Sequence, residues 1–276
     1  MSGSLTPTSQ IKKTLIGIKR ELENFVGVTP TYDISSTLNA KYNVASAVVP
    51  TEVPTLAYFG IGIGGTYIDS DSNLVQPYPV LQTNMDMYQP IPFRCVPVTA
   101  DLSPEEQTVY RMRVRQTING SDYWCYYLKL IIYDQARVSL TKTDPVSGLL
   151  IPYDVNYANL NPTKPTIVGG VVTPPAVEVN ASVIGSLILT GAEVVESINV
   201  LFGGNLLYAR ITEFGFYSGQ DQTITASNGS GGTISYTEAI LAQLNTGYTF
   251  TGDDFSSVSR VTNYQLANGS GSLMLL

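Results

Sequence analysis

Apolar residues recur at alternating intervals of four and three near the start of the chain, within residues 9–26. This spacing places them on one side of a helix, in the a and d positions of a heptad repeat. Thr8 or Ser9 can cap the start of this predicted amphipathic helix, and Gly27 with Pro30 can end it. The stripe packs either on the protein's own core or on a neighbouring subunit. Its members are our first candidates for a subunit interface: Ile11, Leu15, Ile18, Leu22 and Phe25.

Two runs with strand-like alternation, residues 110–118 and 121–133, flank the dipeptide Asn119-Gly120. Asn-Gly between such runs is the strongest short-range signal of a β-hairpin, and a two-residue loop fixes the register of both strands. The register predicts four facing pairs: Val114 with Cys125 and Met112 with Tyr127 on one face, and Arg115 with Trp124 and Arg113 with Tyr126 on the other.

Most other ordered segments are short and apolar and lie between turn residues, which predicts a mainly β fold with β-sandwich-like domains. Further strands are expected at residues 55–65, 182–190, 196–203 and 206–219. Two short helices are expected as well, one beginning after Ser103 and a C-terminal one at residues 236–244.

Two long segments rich in proline and small residues separate these regions. Such segments are typical of extended connections, so we expect residues 28–55 and 141–182 to be arms that bind neighbouring subunits. The chain then divides into an N-terminal helix and arm (1–58), a first β region (59–140), a Pro/Gly-rich connection (141–182) and a C-terminal β region (183–276).

The composition limits the chemistry that the chain can perform. Its 276 residues include 18 tyrosines but no histidine, and the net charge is −7. The absence of histidine excludes Ser–His–Asp triads and most zinc sites. The acidic balance argues against nucleic-acid binding, which requires a basic surface. We also expect no membrane contact, because no window offers the roughly 20 apolar residues of a spanning helix.

The two cysteines, Cys95 and Cys125, match no zinc-binding or redox spacing. They can form a disulfide or remain as two buried thiols. Because the N-terminus shows no secretory signal, we expect free thiols.

The run Gly60-Ile-Gly62-Ile-Gly64-Gly65 formally matches the dinucleotide-binding fingerprint G-x-G-x-x-G. That fingerprint requires a helix after the glycines, with its N-terminus pointing at the pyrophosphate. The residues after Gly65 do not favour a helix. We therefore predict no cofactor site, and we expect the glycines to permit close backbone packing or a bulge.

The loop Asp69-Ser-Asp71-Ser-Asn73 is similar to the opening of a calcium-binding loop. However, Leu74 occupies the position of the required glycine, and Val80 occupies that of the final glutamate. We interpret the segment as a surface loop and predict no metal ligands, with a structural Ca²⁺ as the alternative.

Arg111, Arg113 and Arg115 alternate along the first strand of the predicted hairpin and so lie on one face. They can bind an acidic surface on a partner subunit, which makes them further interface candidates. Alternatively, they make internal cation–π contacts with Trp124 and Tyr126, which lie opposite two of them.

Carboxylates suited to acid–base catalysis occur at several places, but their spacing selects no pair. We therefore predict no catalytic residue and no enzyme activity, although a histidine-free hydrolase is a possible class. The acids in question are Glu105, Glu106, Glu193, Glu196, Asp253 and Asp254.

Three stretches carry a resemblance to a known group of proteins: residues 90–129, residues 207–219 with YTEAILAQL after them, and LAYFGIGIGG at 56–65. Within the first, the blocks PIPFRCVP, DLSPEEQTVYRMR and INGSDYWCYYLK are the most distinctive. Together these stretches resemble virion structural proteins of contractile-tailed bacteriophages, namely neck and baseplate-wedge components.

The resemblance implies a structural part of the phage particle, assembled in the host cytoplasm, that forms an oligomeric ring with copies of itself and other virion proteins. No catalytic role comes with it, because the similar blocks contain no catalytic residues. A different class remains open: a receptor- or glycan-binding fibre or adhesin module, in which exposed tyrosine and tryptophan side chains stack on sugars.

Overall fold

The computed structural model describes residues 9–44, 53–133, 138–144, 146–154, 166–173, 179–227 and 231–270. This part of the chain is mainly β, with several antiparallel sheets. The first strands are β1 Ser9–Lys13, β2 Thr55–Gly62, β3 Thr66–Ile68, β4 Val75–Pro77, β5 Pro90–Ile91, β6 Arg94–Pro97, β7 Tyr110–Ile118 and β8 Ser121–Leu130. The remainder are β9 Ile132–Tyr133, β10 Ser139–Thr143, β11 Leu150–Pro152, β12 Thr166–Val168, β13 Val171–Thr173, β14 Val179–Thr190, β15 Arg210–Ser227, β16 Thr233–Asp254 and β17 Val261–Ser270.

Helices are few and short. The α-helices are α1 Leu15–Val26, α2 Leu38–Tyr42, α3 Pro104–Gln107 and α4 Gly191–Phe202, and two 3-10 turns cover Ile34–Ser36 and Leu206–Tyr208. The helix expected after Ser103 is confirmed as α3, where Ser103 and Glu106 form a capping box. No helix in the described part of the chain is long and apolar enough to cross a membrane.

The chain divides into two compact units, and the first comprises Met1–Ile131 and Ile188–Thr262. Its main sheet has eight strands in the order β1-β16-β15-β2-β8-β6, with β5 on β2 and β7 on β8. The pairing of β2 with β15 joins the two predicted β regions in one sheet. A buried cluster that includes Tyr58, Met112, Cys125, Tyr127 and Tyr217 forms part of its core.

The hairpin around Asn119-Gly120 is confirmed as β7 and β8. Both turn residues have positive φ, 50° and 80°, which is the backbone that the tight turn requires. Val114 pairs with Cys125 in the observed register, as predicted. Arg115 also pairs with Trp124, and Arg113 with Tyr126.

The predicted C-terminal helix at residues 236–244 is wrong, because these residues lie in β16. Almost all of them are buried, so the strand is covered on both faces and reads as a continuous apolar run. Such a run cannot be distinguished from a buried helix by its pattern alone. The side chain of Asn39 on α2 binds this strand at an irregular point. Its NH₂ group donates to the Ala239 carbonyl, and its amide oxygen accepts from the Ala242 N–H.

Two further expectations about elements are corrected. Residues 9–13 are strand β1, so the first helix begins at Leu15 with Thr14 as its cap. Residues 196–203, expected as a strand, belong almost entirely to α4. That helix starts at a capping box between Thr190 and Glu193, and Gly203 ends it in the left-handed conformation.

Cys95 and Cys125 form a disulfide, so the expectation of free thiols is wrong. The two residues lie directly opposite each other in the ladder of β6 and β8. Their Cα atoms are 4.4 Å apart, within the range that a disulfide spans. The pairing of β6 with β8 had no signal in the sequence.

The second unit comprises Ile132–Leu187 and Asn263–Leu276. Its sheet has the order β11-β10-β14-β17, with β9 on β14, and β12 pairs with β13. These strands occupy much of the predicted connection 141–182, so extended arms are not confirmed there. In the other predicted arm, Ile34–Ser36 and α2 are helical. The predicted arm residues 45–52, 145, 155–165 and 174–178 lie outside the described residues.

Candidate functional site

Helix α1 turns its apolar side away from the protein's own core. Leu22 is 59% exposed and Phe25 is 70% exposed, and Leu15 and Val26 are also more than half exposed. We call these four side chains the α1 stripe. Ile18, also predicted for this stripe, is half-buried. Ile11 is exposed too, but it precedes the helix and lies on β1.

The buried side of α1 is polar, which explains its inverted orientation. Arg20 donates from Nε and Nη2 to the Gln243 side chain on β16, at 3.2 and 2.8 Å. Its guanidinium also binds Glu23 at 2.5 Å and lies over the Tyr32 ring. A Cβ atom at Gly17 would overlap the carbonyl oxygen of Asn245. The helix is therefore bound to β16 through polar groups, and its apolar side remains at the surface.

Several charged residues beside the α1 stripe form ion pairs within the chain. Lys13 binds Glu21, and Lys19 lies 3.6 Å from Glu23. Lys19 also donates to the Thr31 side chain. Lys12, on β1, is a further cation near the stripe. The stripe is thus an apolar surface with a charged and polar border, which is the arrangement of a protein–protein contact.

Strand β1 is at the edge of the eight-stranded sheet and pairs with β16 alone among the described strands. An open edge can add a strand from another chain, and lysine side chains are a common protection against this. Lys12 and Lys13 lie on β1. The free edge is therefore protected by charge, whereas the α1 stripe is apolar and exposed.

Arg111 faces inward, only 4% exposed. It makes two hydrogen bonds of 2.8 Å to the Asp221 carboxylate, which also accepts from the Tyr58 hydroxyl. Burial alone would raise the pKa of Asp221, but the hydrogen bonds and charge of Arg111 outweigh it and hold the pKa below its usual value.

Arg113 is also internal, 3% exposed. It donates to Asp101 at 2.6 and 3.0 Å, and its guanidinium lies 3.4 Å from the centre of the Trp124 ring. The prediction of Arg111 and Arg113 as interface residues is therefore not supported, because both side chains are buried within the subunit. Arg115 remains at the surface, where it binds Asp122 at 2.6 Å.

Glu238 is a buried acid on β16 that sequence reasoning missed. Its carboxylate accepts the backbone N–H groups of Met112, Arg113 and Ala239. Burial raises the pKa of Glu238, although these hydrogen bonds act in the opposite direction. Glu238 lies within residues 236–244, which resemble a helix in sequence. Nothing in that pattern indicates that its carboxylate accepts buried backbone N–H groups.

The glycine run 60–65 is used for close packing, as predicted. A Cβ at Gly62 would overlap the side chain of Glu213, a buried acid on β15. The carboxylate of Glu213 accepts the N–H groups of Gly64, Tyr88 and Gln89. Strand β3, not a helix, follows the run. The glycines let the chain wrap around a buried carboxylate.

The acids on α4 have structural partners. Glu193 binds Lys129 and accepts from the hydroxyl of Tyr110 at 2.6 Å. Burial opposes ionisation, but Lys129 and these hydrogen bonds hold the pKa of Glu193 below its usual value. Both carboxylate oxygens of Glu196 accept from the Nε–H of Arg94, at 3.0 and 3.1 Å. This arrangement anchors α4 to the first unit's sheet.

The Asp69–Asn73 loop joins β3 to β4, and its carboxylates form local turn contacts. Asp69 accepts from the Ser72 hydroxyl and from the Asp71 N–H, and both hydrogen bonds lower the pKa of Asp69. In the described residues, no group of three or more Cys, Asp or Glu side chains is placed to hold a metal ion.

A family model described as "Family of unknown function (DUF7208)" matches residues 1–274. No curated protein and no solved structure matches the chain.

Proposed function

Because the chain belongs to the family of unknown function DUF7208, we propose its function from its own surfaces: it is a structural protein that assembles with copies of itself and with other subunits. Following the resemblance described above, we place this assembly in the neck or baseplate of a contractile-tailed phage, as part of a ring. The proposal includes β-sandwich-like packing and arms at residues 28–55 and 141–182 that contact neighbouring subunits.

The α1 stripe is the observation that carries the proposal. Its four side chains and Ile11 are each more than half exposed. Together they offer on the order of 500 Å² of apolar surface, a large part of the ~800 Å² that one partner contributes to a standard interface. Isolated apolar side chains at a surface are normal, but apolar patches of a few hundred Å² are often functional surfaces.

Replacing Leu22 and Phe25 together with serine tests the assembly. Both side chains are exposed, so the fold is preserved while apolar contact area is lost. We expect the wild-type protein to sediment as an oligomer in analytical ultracentrifugation and the double variant to sediment as a monomer. Leu149→Ser, an equally exposed leucine in the second unit, is the matched control and should assemble like the wild type.

Mass spectrometry of purified virions tests the location. We expect the protein to be present in stoichiometric amounts in particles of the phage that encodes it. A protein that stays monomeric at high concentration and is missing from the particles would refute the proposed function.

A row of exposed tyrosines favours glycan binding as a second candidate function. The ring centres of Tyr67 and Tyr78 are 5.0 Å apart, and those of Tyr78 and Tyr88 are 5.3 Å apart. All three side chains are about two-fifths exposed. Aromatic rings at the surface can stack on sugar rings. Trp124 is not available for this role, because it is buried against Arg113.

A glycan array with the wild-type protein and Tyr78→Ala tests this candidate. We expect any bound sugar to be lost in the variant, because the middle ring of the row is removed. Met85→Ala changes an equally exposed apolar side chain in the same segment and should retain binding. Binding that survives Tyr78→Ala would assign the sugar to another surface.

A further inference from the structure

We propose that the α1 stripe binds the Leu206–Tyr208 turn of a second copy of this chain, so that subunits join head to tail. This inference rests on the proposed function, and it names the partner of the stripe.

The Leu206–Tyr208 turn projects an apolar side chain into solvent. Leu207 is 86% exposed, and Leu206 and Tyr208 are each more than two-fifths exposed. We call these three residues the apolar knob. Covering a leucine this exposed with a partner lowers the free energy, because its apolar surface is removed from water.

The apolar knob is held in a defined shape. The Asn205 side chain accepts the Leu207 N–H, and the Asn205 carbonyl accepts the Tyr208 N–H. The Tyr208 ring stacks on Phe202 of α4 with 4.4 Å between ring centres. The knob therefore loses little conformational entropy when it binds. Its binding costs less than that of a loop that must first become ordered.

The chemistry of the knob matches that of the stripe. Residues 197–209 contain no charged side chain. The next charged groups, Arg210 and Asp254, line a cleft beside the knob and have opposite signs. The stripe likewise has an apolar centre, and the ion pairs Lys13–Glu21 and Lys19–Glu23 lie beside it. Each surface therefore offers an apolar centre to an apolar partner.

The two surfaces are separated on the first unit. Lys13, which precedes α1, pairs with Thr246 of β16, whereas Arg210, which follows the knob, pairs with Asp254. The two positions on β16 lie about 26 Å apart along the strand at roughly 3.3 Å per residue. Two different surfaces on one subunit are what a head-to-tail contact needs, and repetition of such a contact forms a ring when the rotation between subunits closes. A contact of the stripe with itself would form only two-fold dimers.

A mixing experiment with two single variants tests the inference. Leu207→Asp damages only the knob, and Leu22→Asp damages only the stripe. Each change is expected to weaken assembly about 30-fold, the effect of losing one hot-spot residue. Each variant alone should therefore sediment as a monomer. An equimolar mixture should form dimers, because the intact stripe of Leu207→Asp can bind the intact knob of Leu22→Asp.

Each result has one meaning. Dimers only in the mixture establish the head-to-tail contact. If Leu207→Asp assembles like the wild type, or if both variants are monomeric and the mixture stays monomeric, the inference is wrong. A stripe that binds itself or another virion protein gives one of these two outcomes. Leu149→Asp controls for the added charge. The proposed function fails separately, when the wild-type protein does not assemble and is also missing from purified virions.

Discussion

Glu238→Gln is expected to lower the free energy of unfolding by about 3 kcal/mol, because buried donors lose their acceptor. The Glu238 carboxylate accepts three backbone N–H groups in a site from which water is excluded. Two of them belong to Met112 and Arg113 on β7, and Met112 has a left-handed backbone with φ 57°. An amide offers one oxygen, and its NH₂ group would face a backbone N–H.

Urea denaturation measures this loss as a lower midpoint at unchanged slope. Glu238→Met removes both oxygens while keeping the size of the side chain, so we expect a larger loss than for glutamine. Glu105→Gln is the matched control, because Glu105 is exposed at the start of α3. Equal midpoints for wild type and Glu238→Gln would show that β7 does not depend on this carboxylate.

Local signals in the sequence identified elements whose structure is decided by neighbouring residues. Asn119-Gly120 fixes its own turn and thereby the register of β7 and β8. The capping box at Ser103 likewise starts α3. In both places a few adjacent residues satisfy the backbone hydrogen bonds, so the prediction does not depend on a distant contact.

Where partners distant in the sequence decide the structure, the pattern gave the wrong element. The run Tyr236–Leu244 is a strand because β15 pairs with it and α2 covers its irregular point. Residues 9–13 are a strand because β16 offers them an open edge. Neither partner can be identified from spacing alone.

The candidate site was predictable as a stripe but not in its orientation. The heptad spacing of Leu15, Leu22 and Phe25 is visible in the sequence. The stripe lies at the surface because Arg20 and Gly17, on the other side of α1, pack against β16. Their partners Gln243 and Asn245 are more than 200 residues away in the sequence. The sequence likewise could not show which arginines of β7 are buried, namely Arg111 and Arg113, and that Arg115 is exposed.

That division leads to the second large effect. Arg113→Ala is expected to lower the free energy of unfolding by about 3–5 kcal/mol, the cost of leaving one partner of a buried ion pair alone. The change leaves the largely buried Asp101 carboxylate with the Tyr126 hydroxyl as its remaining side-chain donor, and it empties the space over the Trp124 ring.

Arg115→Ala is the matched control for this prediction, because Arg115 lies two residues further along the same strand with its side chain 56% exposed. Its ion pair is screened by water, so its loss should change the urea midpoint much less. Arg113→Lys should fall between the two, since an ammonium keeps the charge but neither stacks on Trp124 as a plane nor donates two fixed hydrogen bonds. Equal losses for Arg113→Ala and Arg115→Ala would contradict the internal role of Arg113 and return it to the surface, where a partner could reach it.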